Sequence, residues 1–254
     1  MNNKIVLITG ATSGFGEACA RQFAAGGYRL IITGRRKERL DALSHELEKH
    51  TDVLSLVFDV QDKEAVFAAI NSIPDTWTAI DILINNAGLA LGRDHFQDAS
   101  LDDWETMLDT NVKGLLYVSR AVVPLMIARQ RGHIINLGSI AGKEVYEKGN
   151  VYCASKYAVD AISKAQRIDL LQHRIKVTAI HPGAADTEFS RVRFKGDMTQ
   201  AARIYEGYTP LRAEDVADAI YYCANTPEHV CINEVNITCL AQANSFYYNR
   251  SGNA

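Results

Sequence analysis

KIVLITGATSGFGEACARQFAAGGYRLIITGRR, residues 4–36, decides the fold. An apolar, β-branched run at 4–8 stops at a glycine-rich turn. Gly10, Gly14 and Gly16 follow at GxxxGxG spacing, with Thr12, Ser13 and Phe15 between them. A helical stretch comes next, punctuated by Gly26-Gly27, and then a second apolar run, 28–33. This is a strand, a tight turn, a helix and a second strand. Glycine lets the backbone turn sharply and approach a ligand closely. Unpaired N–H groups at the start of the helix then face an anion such as phosphate. The same glycines could serve a bare tight turn. The strand before and the helix after favour a phosphate cradle.

The same rhythm continues outward. Further strand candidates are 54–60, 81–85, 132–139, 175–182 and 235–238, separated by segments long enough for crossover helices. Several runs are almost continuously apolar, as in parallel strands covered on both faces. The expected fold is α/β: one Rossmann domain over residues 1–254, a doubly wound, seven-stranded parallel sheet with helices on both faces. Residues 189–210 break the rhythm and read as an insertion over one end of the sheet. The tail, 244–254, holds Phe246, Tyr247 and Tyr248, which suggests docking.

With 254 residues, 47% hydrophobic and 22% charged, the composition suits a soluble globular protein. A net charge of -3 gives no reason to expect nucleic acid or an anionic membrane as partner. No apolar run reads as a bilayer span or signal peptide, so a cytoplasmic location is expected. The five cysteines form no CxxC pair and suit reduced thiols. Cys153 reads as a small buried thiol. The scattered histidines give no metal-ligand pattern, and no metal is expected.

The end of the second strand selects a cofactor. An NAD site would place an acidic residue there for the ribose hydroxyls. This chain has Gly34, Arg35 and Arg36 instead. Two guanidinium groups suit a 2′-phosphate, so NADP(H) is expected. A solvated basic helix start is the competing reading, and it fits Lys37 and Arg39. Asp59, followed by Val60, is placed to meet the adenine amino group, or to cap the next helix.

VYCASKYAVDAIS, residues 151–163, is an apolar-periodic helix carrying a phenol, Tyr152, and an ammonium, Lys156, one turn apart. Alone, that pair reads as surface chemistry. Together with TGATSGFG, Asp59-Val60, NNAG at 85–88, Asn111, Ser139 and PGAADT at 182–187, it resembles the short-chain dehydrogenase/reductase family, in order and spacing. The resemblance implies that Tyr152 exchanges a proton with the substrate oxygen. Lys156 would favour the phenolate and hold the nicotinamide ribose. Ser139 would hold the substrate oxygen, although a strand-end serine also caps turns. Asn111 would hold a relay water. Asn86, Ala87 and Gly88 would approach the adenosine ribose, and Pro182, Gly183 and Thr187 would fix the nicotinamide amide.

TEFSRVRFKGD (187–197) and TPLRAEDVADAI (209–220) further resemble the NADP-dependent 3-hydroxy acid dehydrogenases that act on serine and allo-threonine. That likeness implies a small hydroxy acid or carbonyl substrate and a homotetramer. It makes residues 189–210 a substrate lid. Lys143, Arg191, Arg193 and Lys195 are candidates for the substrate carboxylate, with Arg193 and Lys143 preferred. A broader carbonyl or 3-oxoacyl reductase, and an NADP-sensing regulatory protein, are the other readings.

Overall fold

The computed structural model describes residues 3–250, so the last four residues of the tail lie outside it. The first strand, β1 (Ile5–Ile8), is entirely buried and runs parallel to β2 (Arg29–Gly34) and β4 (Ile80–Asn85). With β3 (Val53–Val57), β5 (Gly132–Leu137), β6 (Ile175–Pro182) and β7 (Glu234–Ile237) they form one seven-stranded parallel sheet, ordered β3-β2-β1-β4-β5-β6-β7. The expected doubly wound sheet is present. Its strand order reverses between β1 and β4. In open α/β sheets that switch point opens a crevice at the carboxyl ends of the strands.

Helices cover both faces. Phe23 of α1 (Gly14–Ala25), Leu40 of α2 (Lys37–Leu47) and Ile220 of α9 (Ala213–Ala224) pack with Val6, Ile8, Leu30 and Ile32. On the other face, α3 (Lys63–Asn71) and α5 (Leu115–Ala128) lay Val66, Ile70, Val118, Val122 and Met126 against Ile5, Leu7, Leu83 and Ile134. Alternate residues of each strand serve opposite faces, so the central strands are largely apolar, with Asp81, Asn85, His133 and Asn136 as buried polar exceptions. A third cluster, around Tyr152 and Cys153, lies at the catalytic end. There α6 (Asn150–Asp169) begins, while α7 (Glu188–Arg193) and α8 (Met198–Arg203) make up the insertion.

The structure corrects one expectation. α4 (Leu101–Leu108), a π-helical turn at Asp109–Gly114 and α5 run on as one 28-residue helix, long and apolar enough by length and composition to cross a membrane. Its Val118–Val122–Met126 stripe packs on the sheet. Leu101, Leu108 and Leu116 are exposed.

Candidate active site

The crevice at the switch point is lined by the glycine turn. Gly10 and Gly14 have φ of 64° and 54°, the left-handed region that favours glycine. Asn86 sits beneath the turn and donates to Thr9 O at 2.8 Å and to Gly10 O at 3.1 Å. A Cβ on Gly16 would collide with the Gly10 carbonyl and the Asn86 amide. So the loop hugs β4, and the α1 N-terminus opens into a cavity of about 270 Å³. Gly10, Thr12, Ser13, Gly14, Phe15, Arg35, Arg36, Asp59, Val60, Asn86, Ala87 and Gly88 line it, and it reaches Tyr152 and Lys156. The lining suits a dinucleotide: the helix start would hold its phosphates, and both arginines lie at one end.

The arginines are held in different ways. Arg35 pairs with Asp59 at 3.1 Å, and both groups are part-exposed at the rim. Arg36 is tied to the glycine turn through Thr12 Oγ1 at 3.0 Å and Ser13 Oγ at 2.9 Å. It also meets Glu188 at 3.2 Å, as does Arg39 at 2.8 Å. Asp59 does not cap the following helix. Its Oδ1 accepts the Gln61 N–H, and Asp62 caps α3 through Ala65 N.

At the far end, α6 brings Tyr152 and Lys156 to the cavity floor, 8% and 6% exposed. The Lys156 ammonium donates to Leu137 O at 2.9 Å and lies 6.0 Å from the centre of the Tyr152 ring. Burial lowers the lysine to about 8. It also pushes the Tyr152 phenol well above the ordinary tyrosine value, against an opposing hydrogen bond from Ser139. Desolvation is the largest influence on the phenol, and the hydrogen bond from Ser139 and the charge of Arg193 oppose it. At neutral pH Tyr152 is a buried acid with a proton to give.

Ser139 follows β5 and Gly138. Its Oγ accepts the Ala141 N–H at 3.1 Å, so it caps a turn as well as lining the substrate cavity. Asn111 lies in the π turn, 2% exposed. Its side chain is committed to Leu89, to which Oδ1 accepts and Nδ2 donates, and to Ser155 Oγ. Any relay at this position therefore belongs to the main chain of the turn.

A second cavity, about 720 Å³, opens beyond Tyr152 under α7 and α8. Ser139, Tyr152, Pro182, Gly183, Thr187 and Arg193 all line it. Thr187 caps α7 through Phe189 N at 3.2 Å. Arg193 is 8% exposed and sits 5.4 Å from the centre of the Tyr152 ring. It donates to Tyr146 Oη at 3.0 Å. Lys143 is elsewhere: its ammonium is clamped by Asp160 Oδ1 at 2.8 Å and Glu234 Oε1 at 2.6 Å. The substrate role given to Lys143 is thereby corrected, because two carboxylates already neutralise it away from the cavity. Arg191 is exposed, and Lys195 pairs with Asp103 at 2.9 Å.

Residues 4–197 match the model of the short chain dehydrogenase family. The chain belongs to that family. It is similar to the NADP-dependent 3-hydroxy acid dehydrogenase YdfG of Salmonella typhi, 50% identical over 240 residues, covering 94% of this chain and 96% of the relative. It is 47% identical over 240 residues to sulfoacetaldehyde reductase 2 of Chromohalobacter salexigens, covering 94% and 95%. Among solved structures it resembles the closed form of serine dehydrogenase complexed with NADP+, with a TM-score of 0.91, 47% identity, and 94% and 96% of the two chains covered.

Two residues of this dehydrogenase escaped the sequence reading. Tyr146 holds Arg193. Gln242 accepts the Ala184 N–H at 2.8 Å and fills the space a Cβ on Gly183 would need. Tyr146 lies in GSIAGKEVY, residues 138–146, but nothing in its spacing marks a role. Gln242 is 58 residues from its partner and leaves no local signal.

Proposed function

We propose that the protein is an NADP(H)-dependent oxidoreductase acting between a small 3-hydroxy acid and its 3-oxo partner. The observation that carries the substrate class is Arg193, a buried cation beside Tyr152 on the segment that roofs the cavity. The cavity wall supports it. Arg93, Lys148, Arg193, Arg203 and Arg250 line it with Glu147 as the one carboxylate, and none of the five cations is paired with a carboxylate among the described residues. Such a wall attracts a small anion.

When bound, the cofactor supplies the hydride. The glycine turn and the α1 N-terminus would hold its phosphates, and Arg35 and Arg36 would supply the charge for the 2′-phosphate. Pro182, Gly183 and Thr187 flank the nicotinamide end. Ser139 Oγ donates a hydrogen bond to the substrate oxygen, where negative charge develops. The Tyr152 phenol then gives that oxygen its proton during reduction, and takes it back during oxidation. Lys156 offsets the charge left on the phenolate, and the Asn111 main chain serves the proton relay. Residues 189–210 act as the lid.

Sulfoacetaldehyde reductase 2, as similar to this chain as several of the hydroxy acid enzymes, favours a second reading: a short carbonyl compound with a sulfonate in place of the carboxylate. A broad carbonyl or 3-oxoacyl reductase needs no buried cation next to the phenol. A purely NADP-sensing role leaves Tyr152 and Lys156 unexplained.

The test is a substrate panel: a 3-oxo acid, sulfoacetaldehyde, a neutral aldehyde and a 3-oxoacyl thioester, each with NADPH and NADH. The 3-oxo acid with NADPH is expected to give the highest kcat/KM. Removing Arg35 should cost about 1.5–3 kcal/mol in NADPH-linked kcat/KM, the value of a charge-assisted contact. It should leave NADH-linked kcat/KM nearly unchanged. Preference for NADH in the native enzyme would overturn the cofactor assignment.

Assembly follows from the surface. Leu101 and Leu116 on the long helix are 66% and 42% exposed, and Phe246 and Tyr247 are 65% and 68% exposed. Apolar surface on that scale meets a partner, and a homotetramer with closed symmetry covers both patches. Light scattering at micromolar concentration should report a tetramer; a stable monomer rules it out.

A further inference from the structure

Behind Ser139 lies a charged cluster that the reaction does not use. Asp160 comes from α6, two turns beyond Tyr152, and Glu234 opens β7. His181 immediately precedes the Pro182-Gly183 turn and is 0% exposed. Ligand-type atoms of these three residues converge within 4.8 Å, and the Lys143 ammonium is bound between the two carboxylates. Lys164 adds a second cation to Asp160 at 2.8 Å. The carboxylates are thus already matched in charge by two lysines, which leaves no demand for a metal ion. What remains is the imidazole. Its Nδ1 lies 3.2 Å from the Ser139 carbonyl oxygen. Its Nε2 faces Asp160 Oδ1 at 3.7 Å and has no hydrogen-bond partner among the described residues.

A carbonyl only accepts, so Nδ1 must carry the proton in this contact. Burial, reinforced by Lys143, pulls the imidazole below its usual value, so the ring is neutral in the working range and Nδ1–H is its one donor. Gly138 makes the approach possible, since a Cβ there would collide with the His181 ring. The cluster therefore joins three elements that meet at the reacting atoms: the loop after β5 with Ser139, the catalytic helix α6, and the end of β6.

We infer that His181 is a positioning residue for Ser139: its Nδ1–H fixes the Ser139 main chain and so aims the hydroxyl at the substrate oxygen, while Asp160, itself clamped by Lys143, faces the other ring nitrogen. The inference rests on the role of Ser139 in the proposed reaction. It makes Lys143 part of the catalytic scaffold and not a substrate ligand.

Two substitutions separate positioning from packing. His181→Leu keeps volume and removes the donor; His181→Asn keeps a donor near the Nδ1 position. His181→Leu is expected to lower kcat about ten- to hundredfold, the order of loss from slight misplacement of a reacting group, with little change in KM for NADPH. His181→Asn should retain most of the native kcat. In a Ser139→Ala background the leucine substitution should cost little more, because residues acting through one group are not additive. Lys143→Met should lower kcat alike for charged and neutral substrates. Equal losses from His181→Leu in both backgrounds overturn the inference. So does a loss in His181→Asn as large as in His181→Leu, or a rise in KM confined to charged substrates in Lys143→Met. Ring ¹⁵N shifts in the native protein supply a readout independent of activity, and of whether His181→Leu folds. An Nδ1–H neutral ring supports the assignment, and an Nε2–H ring refutes it. An inactive native enzyme with an Nδ1–H ring would instead count against the proposed function.

Discussion

Tyr152→Phe is expected to fold, to bind NADPH with near-native affinity, and to lose about 10²–10⁴-fold in kcat, the usual share of a general acid. The substitution removes one oxygen and keeps the ring that packs against Phe189 and under Arg193. Stability should therefore hold while the proton donor disappears. The expected loss corresponds to about 3–5 kcal/mol of barrier. The pH profile follows from the same burial. The phenol is held above its ordinary value, so it stays protonated through the neutral range. Reduction, which needs the proton, should be level there and fall only under alkaline conditions. Oxidation needs the phenolate and should climb with pH. Lys156, lowered to about 8, should begin to lose its charge in the same window and blunt that climb. Lys156→Met should damage both turnover and cofactor affinity. A near-native kcat in Tyr152→Phe would sink the acid–base assignment.

What the sequence revealed was local. The glycine turn is legible because three glycines between a strand and a helix leave few backbone solutions. Tyr152 and Lys156 are legible because residues four apart share a helix face. The strands are legible because burial on both faces demands unbroken apolar runs. Contacts between distant segments left no such trace. Lys143 looks like any loop lysine until Asp160 and Glu234, from a helix and a strand, close on it. Arg36 reads as a phosphate ligand, and its ties to Thr12 and Glu188 leave no trace in its spacing. Asn111 looks like a poorly chosen helical residue. Its side chain proves to bind Leu89 and Ser155, and the helix widens into a π turn there, a distortion frequent at functional sites. The charge near the phenol is visible in the sequence, but the desolvation that raises its pKa is a property of the packed end of the sheet.

Removing the charge of Arg193 should change which substrates the enzyme prefers more than how fast it turns over. Arg193→Met keeps the apolar stem that packs on Tyr146 and Tyr152 and deletes only the guanidinium. In the native protein that group spends one N–H on Tyr146 Oη and a longer one on Gly92 O at 3.4 Å, while the residue's backbone carbonyl anchors α7 to Gly92 N at 2.9 Å. The anchor survives the substitution because it is main chain. The guanidinium still has donors to offer a carboxylate, and a planar fork meets a carboxylate in two parallel bonds. For a 3-oxo acid the loss should therefore be about 1.5–3 kcal/mol in kcat/KM, roughly ten- to a hundredfold. It should fall mainly on KM, because the carboxylate is bound alike before and during hydride transfer. A neutral aldehyde of similar length never used the contact and should react within about twofold of the native rate, since no charged group is left unpaired. Arg193→Lys should recover only part of the loss, because an ammonium cannot reproduce the fork. Sulfoacetaldehyde should follow the 3-oxo acid if the site reads an anionic head group, and follow the neutral aldehyde if the site reads a planar carboxylate alone. If Arg193→Met keeps the native ratio between charged and neutral substrates, the anion is held elsewhere, and the hydroxy acid assignment loses the observation on which it stands.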